Sequence, residues 1–390
     1  MKIIALFLML TVSVVAQNAT LKTRLDAAID QAIKNEKIVG TELVVAQDGK
    51  IIYHRAAGFN DREAKRKLKE NEIFRLASMT KLIVSATALT LVDEGKLKID
   101  DPVTKYIPDF RPKLSDGSMP TITVRHLLTH TSGLNYGFAE NANGEYHKLQ
   151  VSDGLDNAGI SLEENVRRIG SATLLFVPGT KWNYSLSIDV LGLVLEKASG
   201  KNLSELVREK ITAPLGMKDT AFYFKDSKRL VTPYADGATK PVRMTEPFSF
   251  GEVTFSPRRI TNPKAFYSGG AGMAGTADDY LKFLEAIRTG GKPILKPETA
   301  KLLTENAVGE IETNDGNSGS GFSLGAGVLK DPEKAKTPQS VGTWSWGGAY
   351  GHSYFVDPQK KLTVICLTNT TFAGMTGDFP NAILKAIYDK

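Results

Sequence analysis

Three stretches of this chain carry side chains whose types and spacing suit attack on a carbonyl. Ser78-Met79-Thr80-Lys81 sets a hydroxyl three residues before an amine. On a helix those positions share a face one turn apart, so a nucleophile stands beside a base. The same spacing is met by an N-capping Ser followed by a solvated Lys, and the pair alone does not decide between them. Tyr184 closes the stretch Pro178-Gly179-Thr180-Lys181-Trp182-Asn183-Tyr184. Its phenol can share a proton with an amine, although a Pro-Gly turn followed by aromatics also reads as a packed loop. Trp344-Ser345-Trp346-Gly347-Gly348-Ala349-Tyr350-Gly351-His352 then precedes a strand. Its glycines let backbone pass close to a ligand, and a free strand-edge N–H can receive a developing oxyanion. His352 is expected beside the same pocket, with no chemical role assigned.

Ser78-Met79-Thr80-Lys81, Tyr184-Ser185-Leu186 and Trp346-Gly347-Gly348, in that order, resemble the three motifs of the serine β-lactamase and penicillin-recognising superfamily. Their particular forms are most similar to the family VIII carboxylesterases, which share the class C β-lactamase fold. Leu127-Leu128-Thr129-His130-Thr131-Ser132-Gly133-Leu134, Pro214-Leu215-Gly216-Met217 and Thr276-Ala277-Asp278-Asp279-Tyr280 fit as well, so the likeness runs from about Leu21 to the C-terminus. The resemblance implies an α+β fold, an antiparallel sheet flanked by helices with an inserted helical lobe. It implies that Ser78 is acylated, that Lys81 and Tyr184 carry the proton, and that the backbone N–H groups of Ser78 and Ala349 form the oxyanion hole. The implied substrate pocket contains Leu186, Trp346, Gly347, Gly348, Tyr350 and His352.

Two departures from class C β-lactamases bear on the substrate. Leu186 stands where those enzymes usually carry Asn, and Trp346-Gly347-Gly348 where they carry Lys-Thr-Gly. A polar contact and a cation are replaced by apolar surface, which disfavours a β-lactam carboxylate and accepts a neutral ester. The expected reaction is hydrolysis of short-chain or compact carboxylic esters, with no metal or organic cofactor. The alternatives are a β-lactamase or D-alanyl-D-alanine carboxypeptidase, a transacylase, and a non-catalytic peptidoglycan-binding relative.

Other chemistry-bearing patterns are weaker. Gly321-Phe322-Ser323-Leu324-Gly325 fits G-x-S-x-G, but strand-like Gly-rich sequence follows it where a nucleophile elbow needs a helix. His126 and His130 have zinc-ligand spacing without the Glu of H-E-x-x-H or a third ligand cluster, so a structural place at a helix end is expected. Cys366, the only cysteine, excludes an internal disulfide and sits in an apolar run as a small buried hydrophobe.

The elements that must position these residues can be read from periodicity. A one-faced helix spans Leu21–Asn35, and strands Thr41–Gln47 and Lys50–Ala57 flank an Asp48-Gly49 hairpin turn. The Ser78 helix follows and stops at Gly95. The charged run Asp61–Glu72 reads as a solvated loop. Residues 100–251 are rich in Pro and Gly, with short helices at Ser161–Arg168, Ile188–Ser199 and Leu203–Ile211, and read as a helical lobe. Gly269-Gly270-Ala271-Gly272-Met273 reads as a flexible loop, and Thr276 opens a helix with Asp279 as its capping-box acid. Strands Ser353–Val356 and Leu362–Leu367 and a helix at Phe379–Tyr388 complete a lobe made from both chain ends, 17–99 and 252–390.

Met1–Ala16 reads as an export signal: Lys2, then an apolar run too short to span a bilayer, then small residues. A periplasmic or secreted protein with no membrane anchor after cleavage is expected. The formal charge of +6 is scattered among acids, without the basic stripe that nucleic acid requires.

Overall fold

The computed structural model describes residues 20–226, 228–313 and 319–389. Met1–Ala16, read as an export signal, lies outside the described residues, as do residues 316–318 of the stretch 316–321, whose Gly and Ser content is a mild compositional bias.

The largest sheet is antiparallel and draws its strands from two distant parts of the chain. The first part supplies β1 (Gly40–Gln47), β2 (Lys50–Asp61) and β3 (Arg66–Lys67). The second supplies β4 (Ser320–Phe322), β5 (Gly327–Leu329), β6 (Trp344–Gly348), β7 (His352–Asp357) and β8 (Leu362–Thr368). The order is β4-β5-β6-β7-β8-β1-β2-β3, with β8 beside β1 in register from Thr41 opposite Thr368 to Gln47 opposite Leu362. The Asp48-Gly49 turn takes positive φ at both residues, +51° and +78°, as a tight hairpin needs.

Strand alternation splits the apolar residues between two layers. Leu43 and Val45 of β1 and Val364 and Cys366 of β8 face α1 (20–34) and α8 (Asp378–Tyr388), packing on Leu25, Ile29, Phe379 and Ile383. Val44, Ala46, Ile365 and Leu367 face the other way, into the large core. That core holds α2 (Thr80–Asp93), α4 (Leu162–Ile169), α5 (Ser187–Ser199), α6 (Leu203–Val207) and α7 (Ala277–Arg288). Helix α2 is buried on every side from Thr80 to Leu91, which its uniformly apolar and small sequence permits. It starts from the middle of the core rather than from the surface, so its first turn is held by protein on all sides.

Several local expectations need revision. Ser78 lies in a 3₁₀ turn, Ala77–Met79, just before α2. Asp61–Glu72 is not a solvated loop throughout: β2 runs to Asp61, Glu72 accepts a hydrogen bond from Asn60 at 2.7 Å, and Asp61 pairs with Arg243 at 3.0 Å. Thr276 caps α7 by accepting from the Asp279 N–H, but the Asp279 carboxylate accepts from the Asp219 N–H and the Thr220 hydroxyl instead of closing a box. The helix at Leu203 ends at Val207 and continues as a single wide turn, Arg208–Thr212.

Candidate active site

The 3₁₀ turn delivers Ser78 to the rim of a cavity of about 910 Å³. Ala77, at φ +46°, turns the backbone into the unusual conformation that leaves Ser78 half-exposed between buried Ala77 and Met79. Tyr184 donates to Ser78 Oγ at 2.7 Å, and Lys81 Nζ donates to the same oxygen at 3.2 Å. Lys81 Nζ also lies 4.6 Å from the Tyr184 ring centre. The three residues named from spacing therefore meet at one oxygen, and the alternative of a solvated Lys81 fails, because the side chain is only 2 % exposed.

Lys81 is held from below by a loop that reads as flexible in sequence and is pinned in the structure. Its Nζ donates to the Gly270 carbonyl at 2.8 Å. Ser268 Oγ donates to Asp189 Oδ1 at 2.6 Å and accepts from the Ala271 N–H at 3.0 Å. A Cβ at Gly270 would lie 2.3 Å from Asp189 Oδ2, so only glycine lets the loop approach α5 this closely. Asp189 is fully buried, and burial raises its carboxyl above the usual range, opposed by the Ser268 hydrogen bond and by Lys81. Sequence reasoning missed Asp189. Its signal was an acid inside the apolar run Leu186-Ser187-Ile188-Asp189-Val190-Leu191, a placement that is costly unless the carboxylate has a partner.

Tyr184 is positioned by an aromatic cluster that spacing could not reveal. Its ring packs on His130 at 4.9 Å, Tyr136 at 5.2 Å and Trp346 at 5.3 Å. His130 is held well below its ordinary pKa by burial and by the Lys81 charge, so it stays neutral. Its Nδ1 lies 3.3 Å from the Ser185 N–H, fixing the segment that carries Tyr184. His126 instead accepts from the Thr123 N–H at 3.2 Å and caps the short helix α3 (Val124–Leu128), the structural place expected of it. Phe138, which lines the cavity, stacks on Tyr136 at 4.4 Å, and Asp153 fixes its turn by accepting from the N–H groups of Gly137 and Phe138.

On the opposite rim, β6 brings Trp346 and Gly347 to the cavity, and the turn that follows it brings Ala349. β5 pairs only with Trp344 and Ser345, which leaves the edge of β6 from Trp346 onward free beside Ser78. A Cβ at Gly348 would lie 2.3 Å from the Leu76 carbonyl, so the strand packs directly against the turn that carries the nucleophile. Both Ser78 and Ala349 line the cavity, and among the described residues neither backbone N–H has a hydrogen-bond partner.

Four residues expected in the pocket do not line it: Gly348 is buried against the Leu76 carbonyl, and three others carry side chains that turn inward. Leu186 is fully buried at the start of α5 with its side chain in the large core. Tyr350 is turned away against Phe255 at 5.0 Å and lies under the Arg75 guanidinium. His352 is 1 % exposed, packs edge-on to Phe74, and lies 2.8 Å from the Arg75 carbonyl through Nε2. Burial pushes its pKa down to about 4, so the ring is neutral and Nε2–H is the donor in that bond. The physical reason is common to all three. Each follows a tight backbone constraint (helix entry, glycine turn, strand alternation) that points the side chain inward. Trp182, Phe138, Leu155 and Val253 supply the apolar wall instead.

The G-x-S-x-G serine is not a nucleophile. Ser323 is fully buried, donates to the Leu303 carbonyl at 2.7 Å and accepts from the Ala326 N–H at 2.9 Å in a turn entering β5.

A family model described as Beta-lactamase matches residues 25–386. Esterase EstB of Burkholderia gladioli is 46% identical over 377 residues, covering 95% of this chain and 96% of that protein. The solved structure of EstCE1, a hydrolase with promiscuous acyltransferase activity, superposes with a TM-score of 0.92 at 40% identity, covering 96% of this chain and 100% of that one. Simvastatin synthase (LovD) from Aspergillus terreus shares the fold, with a TM-score of 0.73 at 22% identity over 94% of this chain and 98% of that one. The chain belongs to the β-lactamase family, as a serine hydrolase of the serine β-lactamase and penicillin-binding superfamily that is similar to the family VIII carboxylesterases.

Proposed function

We propose that this protein hydrolyses neutral carboxylic esters that are compact around the reacting carbonyl, through an acyl-enzyme on Ser78. The observation that carries this reading is the convergence of Tyr184 OH and Lys81 Nζ on Ser78 Oγ at the cavity rim. In acylation, Ser78 Oγ bonds to the carbonyl carbon while its proton passes to the Lys81–Tyr184 pair. The carbonyl oxygen becomes an oxyanion facing the Ser78 and Ala349 N–H groups. The C–O bond to the alcohol then breaks and the same pair returns a proton to the leaving oxygen. Water repeats the sequence on the acyl-enzyme and releases the acid.

The preference for a neutral ester now rests on Trp346 alone, since Leu186 does not reach the cavity. Trp346 stands at the free edge of β6, and among the described residues the only charged side chain lining the cavity is Lys336, from the loop before β6. A substrate carboxylate beside β6 would be desolvated against indole without a cation on that strand. EstB is named an esterase, which supports the same reading.

The test is initial rates on p-nitrophenyl acetate and butyrate beside nitrocefin. Short esters are expected to exceed nitrocefin in kcat/KM by roughly a hundredfold, the loss expected when a site omits the partner of a substrate charge. Nitrocefin as the better substrate would replace this reading with a β-lactamase. Acyl transfer to an added alcohol instead of release of free acid would mark a transacylase, and the promiscuous acyltransferase activity of EstCE1 makes that worth assaying.

Met1–Ala16 is proposed to direct export, on the pattern of one Lys, an apolar run and Val14-Val15-Ala16. N-terminal sequencing of protein from a native-type host is expected to begin at Gln17. A start at Met1 would sink the proposal.

A further inference from the structure

Strand β6 alternates large and small residues, and the small ones face away from the core. Trp344 and Trp346 point toward the large core and Tyr184, so Ser345 and Gly347 point to the opposite face of the sheet. Register carries the pattern across. Gly347 stands opposite Ser353 and Ser353 opposite Cys366, while Ser345 stands opposite Phe355 and Phe355 opposite Val364. These six residues form a patch about 7 Å along the strands and about 10 Å across them by strand geometry. Four of the six are Gly, Ser, Ser and Cys, so the patch is a low floor.

Helices α1 and α8 cover the sheet over β8 and β1, but Ser345, Gly347, Ser353 and Phe355 are left half-exposed. Pro380, Ile383 and Leu384, on one face of α8, make one wall. All six floor residues and this wall line the same cavity as Ser78 and Tyr184. Met375 sits at the junction: a Cβ on Gly347 would come within 2.8 Å of its Cγ. Its flexible thioether side chain is suited to yielding to a ligand. A cavity of about 910 Å³ is the size that encloses a drug-sized molecule, far more than an acetyl ester fills.

We propose that this trough on the outer face of the sheet, over β6 and β7 and beside α8, binds a straight apolar alkyl chain of the ester substrate. The chain passes Gly347 and Met375 from the reacting carbonyl at Ser78. The proposal rests on the esterase reading above and extends it: the substrate is compact at the carbonyl and apolar at a distance. The low floor admits the chain, and Phe355, Val364, Ile383 and Leu384 remove it from water. Alkyl carbons on the acyl side or on the alcohol side present the same surface to the trough, and two substrate series separate these sources.

The experiment measures kcat/KM for p-nitrophenyl acetate, butyrate, octanoate and decanoate, and for ethyl, butyl and octyl acetate. Wild type is expected to gain roughly tenfold or more along one of the two series, a fraction of the about fourfold per methylene that complete burial would give. Ser353→Phe and Ser345→Leu raise the floor on neighbouring strands and are expected to abolish that gain. Each variant is read as the ratio of its long-chain to its acetate rate, so a general loss of folded enzyme cancels. A wild-type profile that is flat or falls in both series overturns the proposal, as does a gain preserved in both variants. Absence of turnover on every ester would overturn the esterase reading instead.

Discussion

Ser78→Ala is expected to lower ester hydrolysis by about four orders of magnitude or more, leaving only what binding and the oxyanion donors contribute. Tyr184 and Lys81 both aim at Ser78 Oγ, and among the described residues no Ser or Thr hydroxyl other than Ser78 has a hydrogen bond from either of them. The methyl group of Ala keeps the turn Ala77–Met79, so the thermal midpoint should move little, which separates lost chemistry from lost fold. Ser323→Ala is the matched control. It removes the donor to the buried Leu303 carbonyl, so it should cost about 1–3 kcal/mol of stability while the folded enzyme keeps its rate. Activity that survives Ser78→Ala and disappears with Ser323→Ala would reverse the assignment.

The second large effect is expected at Lys81. Lys81→Met keeps much of the side-chain volume and removes the nitrogen that bridges Ser78 Oγ and the Gly270 carbonyl. Loss of one member of an acid–base pair should reduce kcat by roughly 10³-fold, within the range such groups contribute. If Lys81 and Tyr184 act as one proton carrier, the double variant Lys81→Met/Tyr184→Phe should be about as slow as the worse single variant, because half of a unit does little. Multiplying losses would instead assign the two residues independent roles. Stopped-flow measurement of the p-nitrophenol burst places the defect: both single variants should slow the burst itself, since acylation is the first step that needs the proton moved.

The nucleophile, its amine and its phenol were legible because local rules constrain them. Ser78 and Lys81 are three apart at a helix start, and Tyr184 follows a Pro-Gly turn, so short-range pattern and family likeness agree. The hairpin at Asp48-Gly49 and the helix after Thr276 were legible for the same reason. What sequence could not give is direction. Leu186, Tyr350 and His352 lie one or two residues from the cavity residues Tyr184, Ala349 and Ser353, yet their side chains are buried away from the cavity. Nearness along the chain says nothing of which side of a strand or helix entry a residue takes once tertiary packing has chosen. The loop at Gly269–Met273 misled in the opposite sense. Its glycines suggested freedom, whereas they allow close contact with Ile188 and Asp189 and make the loop a fixed support for Lys81. Asp189 and Ser268 escaped notice because they act through a carbonyl far away in sequence.

The junction of β1 with β8 has a consequence for biosynthesis. The middle of the sheet is sewn from residues 40–47 and 362–368, and Arg24 of α1 donates to the Ala386 carbonyl of α8. A ribosome releases β1 long before its partner, which emerges only after residues 48–361 have been made. Until then the apolar edge of β1 has no native neighbour on that side, and contacts of such sequence separation form slowly. The nascent chain must therefore be kept from pairing with other chains throughout the synthesis of that intervening stretch, and a stall or truncation before β8 yields an open, aggregation-prone edge rather than a partly active enzyme.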